Sequence, residues 1–170
     1  MKRFGKWMAL FLILATVSAI NVQANSLIQT IPVGNRPDAL GVNPTTNMIY
    51  VANWVGNTVS VINGQTNTVV ATIPVGNGPW AVGVNPTTDM IYVTNIADNT
   101  VSVINGQTNT VVTTIPVGND PRAVEVNLMT NMIYVANVYG NTVSVINGQT
   151  NTVVATIPVG NWPVAIGVLY

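Results

Sequence analysis

An all-β fold assembled from repeated four-stranded antiparallel units is what this sequence predicts, and three observations carry the prediction. The chain repeats every 42 residues, with "IPVGN" starting at Ile31, Ile73, Ile115 and Ile157; a fixed period of this size marks a stacked repeat architecture. Each unit holds four short runs rich in Val, Ile, Thr and Tyr, separated by Asn, Gly and Pro, the composition of strands and turns. Beyond the apolar N-terminus no window shows sustained helical periodicity. Four antiparallel strands in about 40 to 45 residues is the period of one blade of a β-propeller.

The first element, residues 1–24, reads as a secretory signal peptide. Lys2, Arg3 and Lys6 form a basic start, Trp7 to Ile20 is an uncharged apolar run, and Val22-Gln23-Ala24 supplies small residues where a signal peptidase cleaves. The apolar run has 14 residues, short of the roughly 17 to 25 that cross a bilayer, so membrane contact is expected only through an uncleaved signal segment. The remaining domain, 25–170, opens on a lone outer strand (Leu27 to Val33).

Three complete blades follow. In the second, "AVGV" (Ala81 to Val84), "MIYVT", "TVSVI" and "TVVTTIPV" are the strands, and "NPTTD", "NIADN" and "NGQTN" are the loops. The Asn105-Gly106 pair predicts a tight hairpin, because Asn and Gly tolerate the positive φ such turns need. Tyr50, Tyr92 and Tyr134 recur at one position and are expected between blades. The proline after each "TI" falls in the outermost strand, where a missing N–H costs little. The chain ends on a lone inner strand, Val164 to Val168, so the prediction is an incomplete propeller.

The residues themselves carry a family resemblance. "MIYVTN" from Met90, followed by "NTVSVINGQTNTVV" from Asn99, resembles the YVTN family of β-propeller repeats of surface-layer and other exported proteins. Tyr92-Val93-Thr94-Asn95 is the name-giving tetrapeptide, and Tyr50-Val51-Ala52-Asn53 and Tyr134-Val135-Ala136-Asn137 differ from it at one residue. The resemblance covers essentially all of 25–170, implies a cell-surface, extracellular or periplasmic location, and supplies no catalytic residues. It also implies about seven blades, within the usual range of about four to eight. Three units supply about half of that, and a truncated form of a longer propeller is the leading expectation.

Composition narrows the chemistry. The chain has no Cys and no His, which removes thiolate nucleophiles, imidazole bases and Cys/His zinc sites. Charged residues make up 6%, against about 25% in ordinary soluble domains. Beyond residue 24, Arg36 and Arg122 face Asp38, Asp89, Asp98, Asp120 and Glu125, a balance of −3. Phosphate-backbone binding requires clustered Lys and Arg, so nucleic acid is not an expected partner. No catalytic, cofactor or metal site is expected.

Strand order puts the "NPTTN"-type and "NGQTN" loops on one face of the disc. Variation between units concentrates on the other, which holds the loops from Asn53, Asn95 and Asn137 and the residues flanking the proline after each "GN". The candidate recognition face comprises Arg36, Asp38, Trp54, Trp80, Asp98, Asp120, Arg122, Tyr139 and Trp162, types that dominate binding hot spots carried on loops of a rigid scaffold. The competing reading is that loop tips tolerate change, that Trp54, Ile96 and Val138 cap the core, and that Arg36/Asp38 and Asp120/Arg122 form local ion pairs. Glu125 stands where Gly41, Gly83 and Gly167 do; projection into the central channel of a complete ring is one reading, and chance drift at that position is the preferred one.

The expected function is a non-enzymatic exported module for surface structure, adhesion or protein binding, with a protein or cell-surface polymer as partner. Uncovered blade faces also predict self-association or pairing with other propeller chains. The alternatives are a lactonase-like propeller hydrolase with an axial metal and a periplasmic nucleic-acid binder. The hydrolase needs several converging carboxylates, where the inner strands supply Glu125.

Overall fold

The computed structural model describes residues 29–169, so the signal peptide and the first residues of the strand expected from Leu27 lie outside the described residues. All strands belong to the compact unit Ile31–Tyr170. Blade 1 contains β1 (Pro37–Asn43), β2 (Met48–Asn53), β3 (Thr58–Asn63) and β4 (Thr68–Pro74). Blade 2 contains β5 (Pro79–Asn85), β6 (Met90–Asn95), β7 (Thr100–Asn105) and β8 (Thr110–Pro116). Blade 3 contains β9 (Pro121–Asn127), β10 (Met132–Asn137), β11 (Thr142–Asn147) and β12 (Thr152–Pro158). Each blade is one four-stranded sheet in chain order, every neighbouring pair antiparallel. Strand β1 lies against β5, and β5 against β9, so these are the inner strands; β4, β8 and β12 form the rim, with Pro74, Pro116 and Pro158 at their ends as expected.

The core lies between blades because the strands alternate sides with period two. Tyr50, Val59, Val61 and Ile73 of blade 1 pack on Ile91, Val93 and Ile104 of blade 2. One repeat later, Tyr92, Val101, Val103 and Ile115 pack on Ile133, Val135 and Ile146. Tyr50 and Tyr92 are fully buried, and that burial pushes both phenols up to about 12, since an apolar site disfavours the charged form. Tyr134 occupies the same register position but is half-buried, because among the described residues no further blade covers it.

Glycine keeps the inner strands close. A β-carbon at Gly41 would lie 2.8 Å from Val82 Cγ1 and Val84 Cγ2, and one at Gly83 would lie 3.3 Å from Val124 Cγ2. Both positions point at the inner strand of the next blade. Glu125 is the blade 3 equivalent, paired with Tyr134 as Gly83 is with Tyr92. It belongs to the face a following blade would cover, and the projection into a channel does not hold.

One further expectation needs correction. The left-handed residue of the "NGQTN" turn is its last: Asn67, Asn109 and Asn151 have φ of 54°. Asn105 instead accepts the N–H groups of Gln107 and Thr108 through its side-chain oxygen, an Asx turn. Gly106 is small for another reason: a β-carbon there would meet the Asp89 carboxylate and lie 2.7 Å from the Tyr50 hydroxyl oxygen. The flanking segments Ile31–Val33 and Val164–Val168 take no strand pairing, in keeping with their expected position as lone strands. Each would be the sole strand of its blade, and an unpaired strand has no ladder to hold its backbone polar groups.

Candidate recognition face

Hydrogen bonds fix which loops share a face. Gly64, Gly106 and Gly148 donate their N–H groups to the carbonyls of Asn47, Asp89 and Asn131, which ties the two "NPTT"- and "NGQT"-type turns of each blade together on one side. On the opposite side, Trp54, Ile96 and Val138 donate backbone N–H groups to Arg36, Gly78 and Asp120, the residues before the prolines. The varied loops therefore form one face, as the strand order predicts.

An unvaried frame holds that face. Asn53, Asn95 and Asn137 are buried and donate from Nδ2 to a Thr and a Ser of the next strand over 2.9–3.1 Å. Asn57, Asn99 and Asn141 accept, through Oδ1, the backbone N–H of Gly78, Asp120 and Trp162. Those three residues and Arg36 share a left-handed backbone, with φ between 53° and 67°, which costs a non-glycine residue about 1–2 kcal/mol. The position is held through its backbone N–H or C=O, and the residue there is Arg, Gly, Asp or Trp in the successive units. Sequence reading missed the asparagines as the face's support; their identity in every unit was the available signal.

The structure gathers six of the nine candidates into two clusters. In the first, the Arg36 guanidinium lies 3.9 Å from the Trp54 ring centre and its Nε is 3.5 Å from Asp38 Oδ2. In the second, Arg122 Nε donates to Asp120 Oδ2 over 2.8 Å, and the guanidinium lies 5.2 Å from the Trp80 ring centre. Asp120 is the more buried carboxylate, 9% exposed in its side chain against 22% for Asp38. An exposed pair such as Arg36–Asp38 contributes about 0–1 kcal/mol, and a guanidinium over an indole about 0.5–1 kcal/mol more; Arg122–Asp120 is partly buried. The local ion pairing read from the reversed charges is present.

The other three candidates stand apart. Asp98 accepts from the backbone N–H of Asn77 over 2.7 Å and from its side chain over 2.9 Å. The backbone bond first, then the side-chain bond, hold its carboxyl below the usual carboxylate range. It is a loop clasp. Tyr139 and Trp162 are 61% and 69% exposed and offer aromatic surface directly to solvent.

Between the clusters the loops enclose a concavity of about 400 Å³ lined by Trp54, Val55, Asn57, Gly78, Ile96, Ala97 and Asp120. Its walls are mostly apolar, with one carboxylate and one amide at the edge. The Trp54 indole N–H is buried without a partner among the described residues, and Gly78 leaves room for it, since a β-carbon there would lie 3.2 Å away. Val55 and Ala97 were not anticipated, because nothing in the sequence shows that loops of neighbouring blades converge. Val138, the blade 3 counterpart of Trp54 and Ile96, is buried to 6% exposure, while Trp54 and Ile96 are partly buried and line the concavity. Among the described residues no three of His, Cys, Asp or Glu converge to hold a metal.

No protein-family model and no curated protein matches the sequence. Solved structures do resemble it. A chain of Kuenenia stuttgartiensis hydrazine synthase superposes with a TM-score of 0.73 at 23% identity, over 82% of this chain and 42% of that one. The WD40 repeats of RRP9 and the structure of U3-55K each superpose at 0.68 and 13% identity, over 75% of this chain and 40% of theirs. At these identities the likeness concerns the fold, and it sets the chain among β-propellers. The chain spans about two fifths of the length of each of these neighbours.

Proposed function

We propose that this chain is an exported, non-enzymatic β-propeller module of YVTN type that binds a protein or a cell-surface polymer through its loop face, as part of surface structure or adhesion. One observation carries the reading. Side-chain variation concentrates on a single face, over a frame of asparagines that does not vary, and this face holds an apolar concavity of about 400 Å³ flanked by two Arg–Trp–Asp clusters. Rigid aromatic and guanidinium groups around an apolar recess suit a protein or glycan surface. The WD40 repeats of RRP9 and U3-55K lend it precedent in fold only.

The non-enzymatic part rests on how the carboxylates are engaged. Asp38 and Asp120 are held by arginines, Asp98 by Asn77 and Asp89 by the Asn43 amide, so these four are engaged in holding loops and turns. The YVTN assignment and export rest on the residues quoted for them. A mass for the secreted species starting at Asn25 supports export, and one retaining Met1 refutes cleavage.

Photo-crosslinking in the producing cells tests the binding face. A benzophenone side chain at Tyr139 is expected to give adducts with one protein or envelope polymer, and the same group at Thr66, on the turn face, none. Adducts from Thr66 with none from Tyr139 would overturn the assignment.

A further inference from the structure

Four asparagines precede a glycine: Asn63, Asn77, Asn105 and Asn147. That pairing favours loss of the side-chain amide, because glycine carries no side chain to hinder ring closure. The glycine nitrogen gives its proton to water and bonds to the asparagine Cγ. The Cγ–Nδ2 bond breaks as Nδ2 takes up a proton and leaves as ammonia, and a succinimide remains. Solvent water then opens the ring to aspartate or isoaspartate. The reaction needs a free glycine N–H and an asparagine side chain able to turn back onto it.

Three of the pairs are held by the main chain. In the "NGQT" turns Gly64, Gly106 and Gly148 donate N–H groups to the carbonyls of Asn47, Asp89 and Asn131 over 2.8–2.9 Å. The asparagine before each accepts two backbone N–H groups through Oδ1. These bonds belong to the turns that join strands of a blade, so they open only with the hairpin.

The fourth pair, Asn77-Gly78, lies on the loop face and is held by side chains. The Gly78 N–H donates to Asn57 Oδ1 over 3.0 Å, and Asn57 Nδ2 donates to Asn77 Oδ1 over 3.0 Å. Asn77 Nδ2 donates to Asp98 Oδ1 over 2.9 Å, and its backbone N–H to Asp98 Oδ2 over 2.7 Å. Asn77 is itself exposed. Water readily replaces bonds between exposed side chains, so this lock opens without unfolding a blade. Both of its features are peculiar to one unit. The equivalents of Gly78 are Arg36, Asp120 and Trp162, and those of Asp98 are Gly56 and Gly140.

We propose that Asn77 is a site of spontaneous deamidation on the loop face and that Asp98 guards it. Conversion places a carboxylate where an amide now donates to Asp98, so the clasp becomes a repulsion between like charges. In isoaspartate the main chain runs through Cγ, and the carbonyl that accepts the Ala97 N–H becomes a free carboxylate. Gly78 and Ala97 line the concavity, so one conversion alters both its wall and the charge of the face.

Peptide mapping with fragment mass spectra, on the full chain incubated warm at neutral pH, tests the proposal. In the native chain Asn77 is expected to convert several-fold faster than Asn63, Asn105 and Asn147. In urea all four are expected to convert at similar rates, and faster than Asn77 does in the fold. Asp98→Gly, which supplies the residue of the other two units, is expected to speed Asn77 several-fold and leave the turn asparagines unchanged. Asp98→Asn keeps an acceptor for the Asn77 amide and is expected to fall between. Native conversion of Asn77 no faster than of the turn asparagines, or an unchanged rate in Asp98→Gly, would overturn the proposal. Equal acceleration of all four in that variant would do so too, since Asp98 would then guard the fold rather than the pair.

Discussion

Replacing the recurrent tyrosine by alanine in each blade separates packing between blades from packing within one. Tyr50 and Tyr92 are fully buried at the two junctions, and deleting a large buried aromatic costs about 3–5 kcal/mol through lost transfer energy and the cavity left behind. Both hydroxyls are buried without a hydrogen-bond partner among the described residues. Removing such a group recovers part of its desolvation cost, which puts the loss near the lower limit, about 3 kcal/mol. Tyr134 is half-buried on an uncovered face, where no cavity forms, and half the burial of such a side chain is worth about 1 kcal/mol. In urea, with a slope of about 2 kcal/mol/M, the midpoint falls by about 1.5 M for Tyr50→Ala and Tyr92→Ala and about 0.5 M for Tyr134→Ala. The assay is equilibrium unfolding at concentrations dilute enough for the chain to be monomeric. Three equal shifts would refute the placement of the tyrosines.

Other perturbations read the turns and the loop face. Asn109→Gly should leave stability nearly unchanged while Asn109→Ala costs about 1–2 kcal/mol in thermal unfolding, the penalty of left-handed backbone; Gly106→Ala should cost more than Gly64→Ala, since the Tyr50 hydroxyl closes over Gly106. Trp162→Gly, at a φ of 59°, is expected to keep or raise the melting temperature, by up to about 1 kcal/mol. The Asp98 carboxyl lies below its ordinary value of 3.8, so its stabilisation is present above that pH and lost as pH falls through the folded value. Acid titration of unfolding should therefore be steeper for the native chain than for Asp98→Asn.

Much of the fold was legible because a repeat of fixed length prints blade boundaries directly, and the two-residue alternation of strands prints their faces. The sharing of loops between faces followed from strand order alone. What was not legible depends on neighbours across blades. Asn105-Gly106 has the composition of a tight hairpin, yet the Asx turn moves the positive φ to Asn109, and Gly106 answers to Tyr50 of the neighbouring blade and to Asp89 of the adjacent turn. A channel position for Glu125 was left open because strand alternation does not say which side of the first blade the second occupies. The sequence did not show that Arg36 and Arg122 lie over Trp54 and Trp80, because those contacts form where separate loops meet.

The central claim is that the varied loop face binds and the opposite face does not. Co-sedimentation with envelopes of the producing cells tests it most directly, using a triple variant Arg36→Gly, Tyr139→Ser, Trp162→Gly beside a turn-face triple Gln65→Ser, Gln107→Ser, Gln149→Ser. The account predicts that the loop-face variant keeps its melting temperature and loses binding, while the turn-face variant binds as the native chain does. Equal binding by both, or loss confined to the turn-face variant, would contradict it.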